Sequence, residues 1–333
     1  MATRMPSQRG AGTAHRLGFA VKVLGDGGLP SHDTRRWQSR PHLSVSLDRL
    51  EAILERLDAL DVRMYRMASS LAPYATHPDL EGFHRQVGEC AWRLAEIGRK
   101  ARELDVRLSF HPGQYVVLNS ERPEVRAVAA RELDLLGSLL DAMGLGPEAV
   151  VVLHVGGGAG GREAARERFL RGLEAVGEAG RRRLVIENDD RTFGLEDVLA
   201  VASATALPVV WDILHHHCHD PAGIPDAEAL GAALATWPPD VVPKIHFSSP
   251  KTAIDERRER NGRRVQTRYV LPPLRAHADL VDPIAFEELL RGPARGRRMD
   301  VMLEAKGKDL ALLRLREQLV QRGMTWRRGA IVI

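Results

Sequence analysis

Apolar, β-branched runs recur along the chain at Leu17–Val23, Val62–Met67, Val106–Phe110, Val150–Val155, Leu184–Ile186, Pro208–Trp211, Val241–Phe247 and Val301–Leu303. Runs this short and nearly continuous predict strands buried on both faces rather than half-exposed ones. Between them apolar positions recur at helical spacing, as at Val125, Val128, Ala129, Leu136, Leu139, Leu140 and Met143. Ser120 and Pro123 stand before that stretch and predict a cap and a first-turn proline. Strands alternating with helices predict an α/β fold, a parallel sheet covered by helices. Eight such units in 333 residues point to a TIM (β/α)₈ barrel in a single domain. A doubly wound open sheet shares the same periodicity. The connection from Ser248 to Asp282 is long and rich in Arg and Pro, and loops of that kind are usually functional or disordered.

Composition narrows the class. The hydrophobic fraction of 44% and charged fraction of 28% suit a globular chain with a sizeable core. Five Trp, four Tyr and seven Phe leave that core mainly aliphatic. Two cysteines, Cys90 and Cys218, exclude a disulfide scaffold and a Cys-rich zinc module and suit a reducing, cytoplasmic setting. No apolar run approaches the length of a membrane span, and residues 1–15 read as a flexible basic tail ahead of a 16–333 domain. The net charge is only +4, but residues 1–40 hold seven Lys/Arg against two acids and residues 256–268 hold six Arg. Such patches permit a polyanionic partner.

What ends each predicted strand changes the picture most. Strand three runs into His111, strand four into His154 and strand five into Glu187. Strand six runs into Asp212, with His215 three residues on; strand seven carries Lys244 and His246; strand eight ends at Glu304. His77 follows strand two, and His277 lies in the long connection after strand seven. In a barrel these positions gather at the C-terminal face, where such enzymes build their sites. Buried His, Asp and Glu are costly unless paired or bound to metal, so their convergence points to a multinuclear metal site. Imidazole and carboxylate without thiolate suit Zn, Mn or Fe. Glu187 is the expected carboxylate bridge, and Lys244 and His246 share a face of one strand.

Gly156, Gly158 and Gly161 match the G-x-G-x-x-G spacing of a dinucleotide fingerprint. The match follows the fourth strand rather than the first, and Glu174–Glu178, about 20 residues on, fall in a predicted helix. The expected role is close backbone approach to a phosphate or metal-bound substrate, with no nicotinamide cofactor.

The segments HPGQYVVLNS (111–120), VVLHVGG (151–157), LVIENDDR (184–191), VVWDILHH (209–216), KIHFSS (244–249), AHADLV (276–281) and VMLEAKGKD (301–309) resemble those of the UV damage endonucleases. The resemblance runs from Leu17 to about Leu313. It implies a metal-dependent endonuclease on a TIM barrel that nicks double-stranded DNA 5′ to UV photoproducts. The ligand positions it implies are His77, His111, His154, Glu187, Asp212, His215, His246, His277 and Glu304, holding two or three divalent ions, Mn²⁺ first and Zn²⁺ as the alternative. Its lesion-probing pair corresponds to Gln114 and Tyr115. Phe19 stands at a lesion-contacting position where the family usually has Tyr, and Lys22 is the only polar side chain in Val21–Leu24, where an Asn is usual.

Glu187, Lys244 and His246 are therefore the expected catalytic residues, with Arg257 and Arg258 of the Arg-rich stretch expected on DNA phosphates. That stretch also includes Arg260, Arg263, Arg264 and Arg268. The chain is expected to act as a cytoplasmic monomer, meeting the nucleoid through DNA. The rival enzymes are an abasic-site endonuclease and a sugar isomerase on a similar barrel. The rival outside catalysis is a DNA-binding protein with structural metals, which the absence of thiolate ligands disfavours.

Overall fold

Period-two alternation sorts the strand residues onto two faces. The computed structural model describes residues 12–261 and 264–333, with the backbone alone at 261 and 264. Its strands are β1 (Ala14–Ala20), β2 (Met64–Arg66), β3 (Arg107–Ser109), β4 (Val151–His154), β5 (Leu184–Glu187) and β6 (Val209–Val210). They continue with β7 (Lys244–Phe247), β8 (Asp255–Asn261), β9 (Arg264–Val270), β10 (Asp300–Leu303), β11 (Thr325–Arg327) and β12 (Ala330–Val332). Each of the eight sequence-predicted runs overlaps a strand. The helices between them are α1 (Leu43–Ala59), α2 (Gln86–Glu89), α3 (Ala91–Glu103), α4 (Pro123–Ala142), α5 (Arg162–Glu174) and α6 (Glu178–Arg183). After these come α7 (Leu195–Thr205), α8 (Ile213–Cys218), α9 (Asp226–Ala235), α10 (Pro283–Arg291) and α11 (Lys308–Gln321).

The architecture is α/β. Parallel ladders join β3, β2, β1, β10 and β7 in one sheet and β4, β5 and β6 in another. Two single parallel bridges, Phe110 to Val151 and Asp212 to His246, lie between the two sheets. As regular ladders the strands form two sets rather than one closed ring. β12 adds antiparallel to β1, with His15 opposite Ile331. Residues 14 and 15 therefore belong to the first strand and not to a tail: His15 is fully buried and its Nδ1 donates to the Met299 carbonyl at 3.0 Å. Residues 1–11 of the expected tail lie outside the described residues.

Leu17, Phe19, Tyr65, Leu108, Phe110, Ile186, Trp211, Ile245 and Val301 face the helices and form one aliphatic core with α1, α4, α7 and α11. The alternate residues make two separate clusters, Val150, Val152, Val185 and Val210 with Trp237 and Val241, and Ala20 with Met64 and Met302. Arg107 lies on that second face and spans it from β3 to β10, donating from Nη1 to Asp300 Oδ2 at 2.8 Å. Both side chains are buried, and removing one partner of such a pair costs about 3–5 kcal/mol.

One local expectation is corrected. Pro123 does open α4, but Arg122 is the residue before it, and the Ser120 hydroxyl accepts from the Arg122 amide rather than capping the helix. The long connection after β7 forms an antiparallel hairpin, β8 with β9. Its base is tied by Lys251 to Asp255 and by the Pro250 to His277 bridge. Among the described residues no helix is long and apolar enough to cross a membrane.

Candidate active site

Each apolar row on the face turned from the helices ends in a polar residue. Val152 is followed by His154 on β4, Val185 by Glu187 on β5, Met302 by Glu304 just past β10, and Met64 by Arg66 on β2. Lys244 and His246 occupy the same face of β7. Glu187, Asp212, Lys244 and His246 are fully buried. The donor atoms form three overlapping groups, each with all ligand atoms within 4.8 Å of one another: His111, His246 and Glu304; His111, His154 and Glu187; Glu187, Asp212 and His215. His111 and Glu187 each belong to two groups, which is the position of a shared ligand.

Glu187 holds the groups together. Its Oε2 accepts from His111 Nε2 at 2.9 Å and its Oε1 from His246 Nδ1 at 2.8 Å. His154 Nε2 lies 3.5 Å from Oε2, and His215 Nδ1 3.6 Å from Oε1. Asp212 caps α8 by accepting from the His215 amide at 2.8 Å, which places the imidazole three residues on beside the carboxylate. Asp212 Oδ2, His246 Nε2, His154 Nδ1 and Lys244 Nζ are buried without a hydrogen-bond partner among the described residues. An unsatisfied buried polar atom costs about 1–3 kcal/mol. An unpaired Asp212 oxygen within a set of close imidazoles and carboxylates fits a centre completed by cations, so the donor set suits a metal chemically.

Burial by itself would raise the Glu187 carboxyl, but the His246 and His154 imidazoles and the hydrogen bonds from His111 and His246 hold it well below the usual range. Burial opposes ionisation at Glu304 too, and Arg66 and His246 override it. His215 is pushed up to about 9: burial lowers it, and Asp212, Glu187 and Glu304 outweigh that. Lys244 goes the other way, lowered well below the ordinary lysine value by burial and by the Arg107 and Arg66 charges.

Two of the nine expected ligands stand apart from the three groups. His277 is nearby: its Nδ1 donates to the Glu304 carbonyl at 2.8 Å and its ring centroid is 6.0 Å from that of His215. His77 is exposed and turned onto its own loop, where its Nδ1 accepts from the Asp79 amide at 3.2 Å. The structure does not bring it to the others. Phe19 is corrected as well. It has no exposed surface and sits edge-on to Tyr65 at 5.5 Å, on the helix-facing side of β1, so it offers no contact to a lesion. Gln114 and Tyr115 are exposed just past His111, Tyr115 to 83%. Gln114, His111 and His154 line a cavity of about 400 Å³ with Asp189, Asp190 and Thr192. A larger apolar cavity of about 620 Å³, behind α8 and α10, contains none of the grouped donors.

The glycine loop after β4 closes on that smaller cavity. Gly156 has φ of 111°, and a Cβ there would sit 2.3 Å from Asn119 Oδ1. Arg257 and Arg258 lie exposed on β8, Arg257 directly opposite Arg268 and Arg258 opposite Thr267. Arg263 and the Arg264 side chain lie outside the described residues.

Sequence reasoning passes over two residues. Asn188 is fully buried, accepts from the Asp212 amide at 2.9 Å, donates to the Asp212 carbonyl at 3.0 Å, and its own carbonyl accepts from His215 Nδ1 at 3.0 Å. Its one signal is its place directly after Glu187 in LVIENDDR. Arg66 pairs with Glu304; it is the polar residue that ends strand two, a position the sequence pattern assigns to His77.

The model of the family described as UV-endonuclease UvdE matches residues 43–326. The chain belongs to that family. A UV DNA damage endonuclease of Bacillus mycoides (strain KBAB4) is 32% identical over 277 residues, covering 82% of this chain and 81% of that relative. One from Bacillus cereus (strain G9842) is 31% identical over 276 residues, covering 82% and 80%. The crystal structure of SacUVDE superposes with a TM-score of 0.75 at 28% identity, over 92% of this chain and 99% of that one. A D-psicose 3-epimerase from Clostridium cellulolyticum H10 superposes with a TM-score of 0.51 at 11% identity over 94% of each chain. That second likeness shows the fold alone. Membership of the UV-endonuclease family makes the chain a nuclease of DNA repair.

Proposed function

We propose that this chain nicks double-stranded DNA on the 5′ side of UV photoproducts, using two or three divalent cations held by the grouped donors. The observation that carries the reading is the sharing of Glu187 and His111 among three donor groups whose atoms lie within 4.8 Å. His111, His154, Glu187, Asp212, His215, His246 and Glu304 would hold the ions, with His277 completing the set from the base of the hairpin. Mn²⁺ is the first choice and Zn²⁺ the alternative, both compatible with imidazole and carboxylate. Bound there, such ions lower the pKa of a water molecule and neutralise charge on the phosphodiester.

The chain's own side chains do the remaining work. Glu187 fixes His111 and His246 through its two oxygens, and Asn188 fixes Asp212 and His215 in turn. Lys244, buried with its amine held towards the neutral form, stands beside His246 on the inner face of β7. Gln114 and Tyr115 would fill the space left by an extruded dinucleotide, whose extrusion is cheapest where damage has weakened stacking. Arg257 and Arg258 would hold backbone phosphates without reading sequence. We read the two parallel sheets as one (β/α)₈ barrel in a single domain whose first strand includes residues 14 and 15. The single bridges between β3 and β4 and between β6 and β7 support that closure. The chain would act as a monomer in the cytoplasm and need no nicotinamide.

The experiment is a nicking assay on UV-irradiated plasmid beside abasic and intact plasmid, with and without chelator and with Mn²⁺ or Zn²⁺ restored. Incision confined to irradiated DNA, lost to chelator and restored by metal, is the expected result. Nicking confined to abasic DNA, or activity indifferent to chelator, would overturn the reading.

A further inference from the structure

The turn after β1 is held in place from three sides. The Tyr65 hydroxyl donates to the Val21 carbonyl at 2.6 Å, and the Val21 amide donates to the Arg66 carbonyl at 2.8 Å. Asp309, buried at the start of α11, accepts from the Leu24 and Gly25 amides at 2.7 and 3.0 Å. The arrangement forces two uncommon backbone conformations: Val21 has φ of 65° and Lys308 has φ of 52°. Left-handed conformation at a β-branched residue is a genuine outlier, and such outliers persist only where surrounding structure over-determines them.

What the strained turn achieves is the convergence of three cations. Lys22 sits on it, Arg66 ends β2 and Lys308 begins α11. Lys308 is half-buried; burial first, then the positive charges of Arg66 and Lys22, push its ammonium down, with Glu304 acting the other way. Arg66 pairs with Glu304. Among the described residues neither Lys22 nor Lys308 forms an ion pair: Glu304 is taken by Arg66, and the buried Asp309 carboxylate is spent on the Leu24 and Gly25 amides. Like charges gathered beside one another are unfavourable unless an anion comes between them. The anion that a nuclease brings to this rim is the DNA backbone.

We propose that Lys22 and Lys308, beside the Arg66–Glu304 pair, seat a backbone phosphate of the substrate strand next to the donor cluster. The proposal rests on the nuclease reading and adds the residues that position the strand on the Glu304 side. Lys22 is exposed on that turn. It would grip phosphate by charge rather than by a neutral hydrogen bond.

The test uses metal-loaded full-length protein carrying Lys22→Ala, Lys308→Asn, both together, or Lys22→Arg. Asn tolerates the left-handed conformation at 308, and thermal melting verifies that each variant is folded. Binding to an intact duplex is measured against salt, and turnover on a duplex with one pyrimidine dimer is resolved into KM and kcat. In the double variant the slope of log K against log salt is expected to shallow by about 0.9 or more, the change that follows when one phosphate is no longer neutralised. KM is expected to rise about ten-fold, more than kcat falls, and Lys22→Arg is expected to behave like the parent. An unchanged slope and KM in the folded double variant would overturn the seat. A parent that never nicks damaged DNA would instead refute the nuclease reading, and the slope on intact duplex would still decide the seat.

Discussion

His246 donates from Nδ1 to Glu187 Oε1 at 2.8 Å, a bond that crosses from one parallel sheet to the other. Glu187 also accepts from His111 through its second oxygen, so one carboxylate on the second sheet orders donors at the ends of β3 and β7, both in the first. Glu187→Gln keeps the shape and removes the charge that two cations would share. Incision is expected to fall more than about a hundred-fold, beyond the 10–100-fold typical of residues that merely support ligands. Bound metal is expected to fall with it. Metal analysis beside the plasmid assay checks both, and unchanged content and turnover would defeat the multinuclear reading.

Asn188 is fully buried and its side chain is bonded to both backbone groups of Asp212. Asn188→Ala is expected to weaken metal affinity by about 10–100-fold while leaving all the grouped donors in place. A metal titration of the folded variant measures this; parental affinity would mean that Asp212 is positioned without it.

Tyr115 is 83% exposed and lies just past His111. If its ring fills the gap behind an extruded dinucleotide, Tyr115→Ala should lose about 1–3 kcal/mol of stacking. That is about one to two decades in affinity for damaged duplex. Metal content is expected to stay parental. Equal binding of damaged duplex by variant and parent would sink the wedge.

Arg257 and Arg258 lie on an exposed hairpin rather than beside the donor cluster. Replacing both by Ala is expected to weaken binding to damaged and intact duplex about equally, because phosphate contacts carry no lesion information. A gel-shift comparison of the two duplexes decides it: loss confined to damaged DNA would make the hairpin a lesion reader.

Phe19→Tyr would add a hydroxyl to a ring that is fully buried against Tyr65. The added hydroxyl would enter the helix-facing core. The expected outcome is no gain in incision and a loss of about 1–3 kcal/mol in stability if the hydroxyl finds no partner. Urea unfolding and the nicking assay together test it; higher activity with unchanged stability would show that the ring reaches the site after all.

The chain's own pattern marked eight of the strands and most of the grouped donors. A short β-branched run that carries or ends in His, Asp or Glu is a local signal: it needs no partner to be seen, and His111, His154, Glu187, Asp212, His246 and Glu304 all carry it. Which face a residue takes is also local in principle. Leu17 and Phe19 alternate with Gly18 and Ala20, and that parity already turns Phe19 away from the site. Tertiary structure decided the rest, because distance in sequence says nothing about which loop returns. Arg66 rather than His77 marks the inner end of β2, since His77 lies eleven residues further on, in a loop free to turn outward. His277 comes back to Glu304 only because β8 and β9 pair and bring Pro250 beside it. Asn188 acquires its role from Asp212, a strand away, and the turn that carries Lys22 reaches the start of α11 only because Asp309 ties the two together. Those are non-local hydrogen bonds, made between groups that a linear pattern cannot pair.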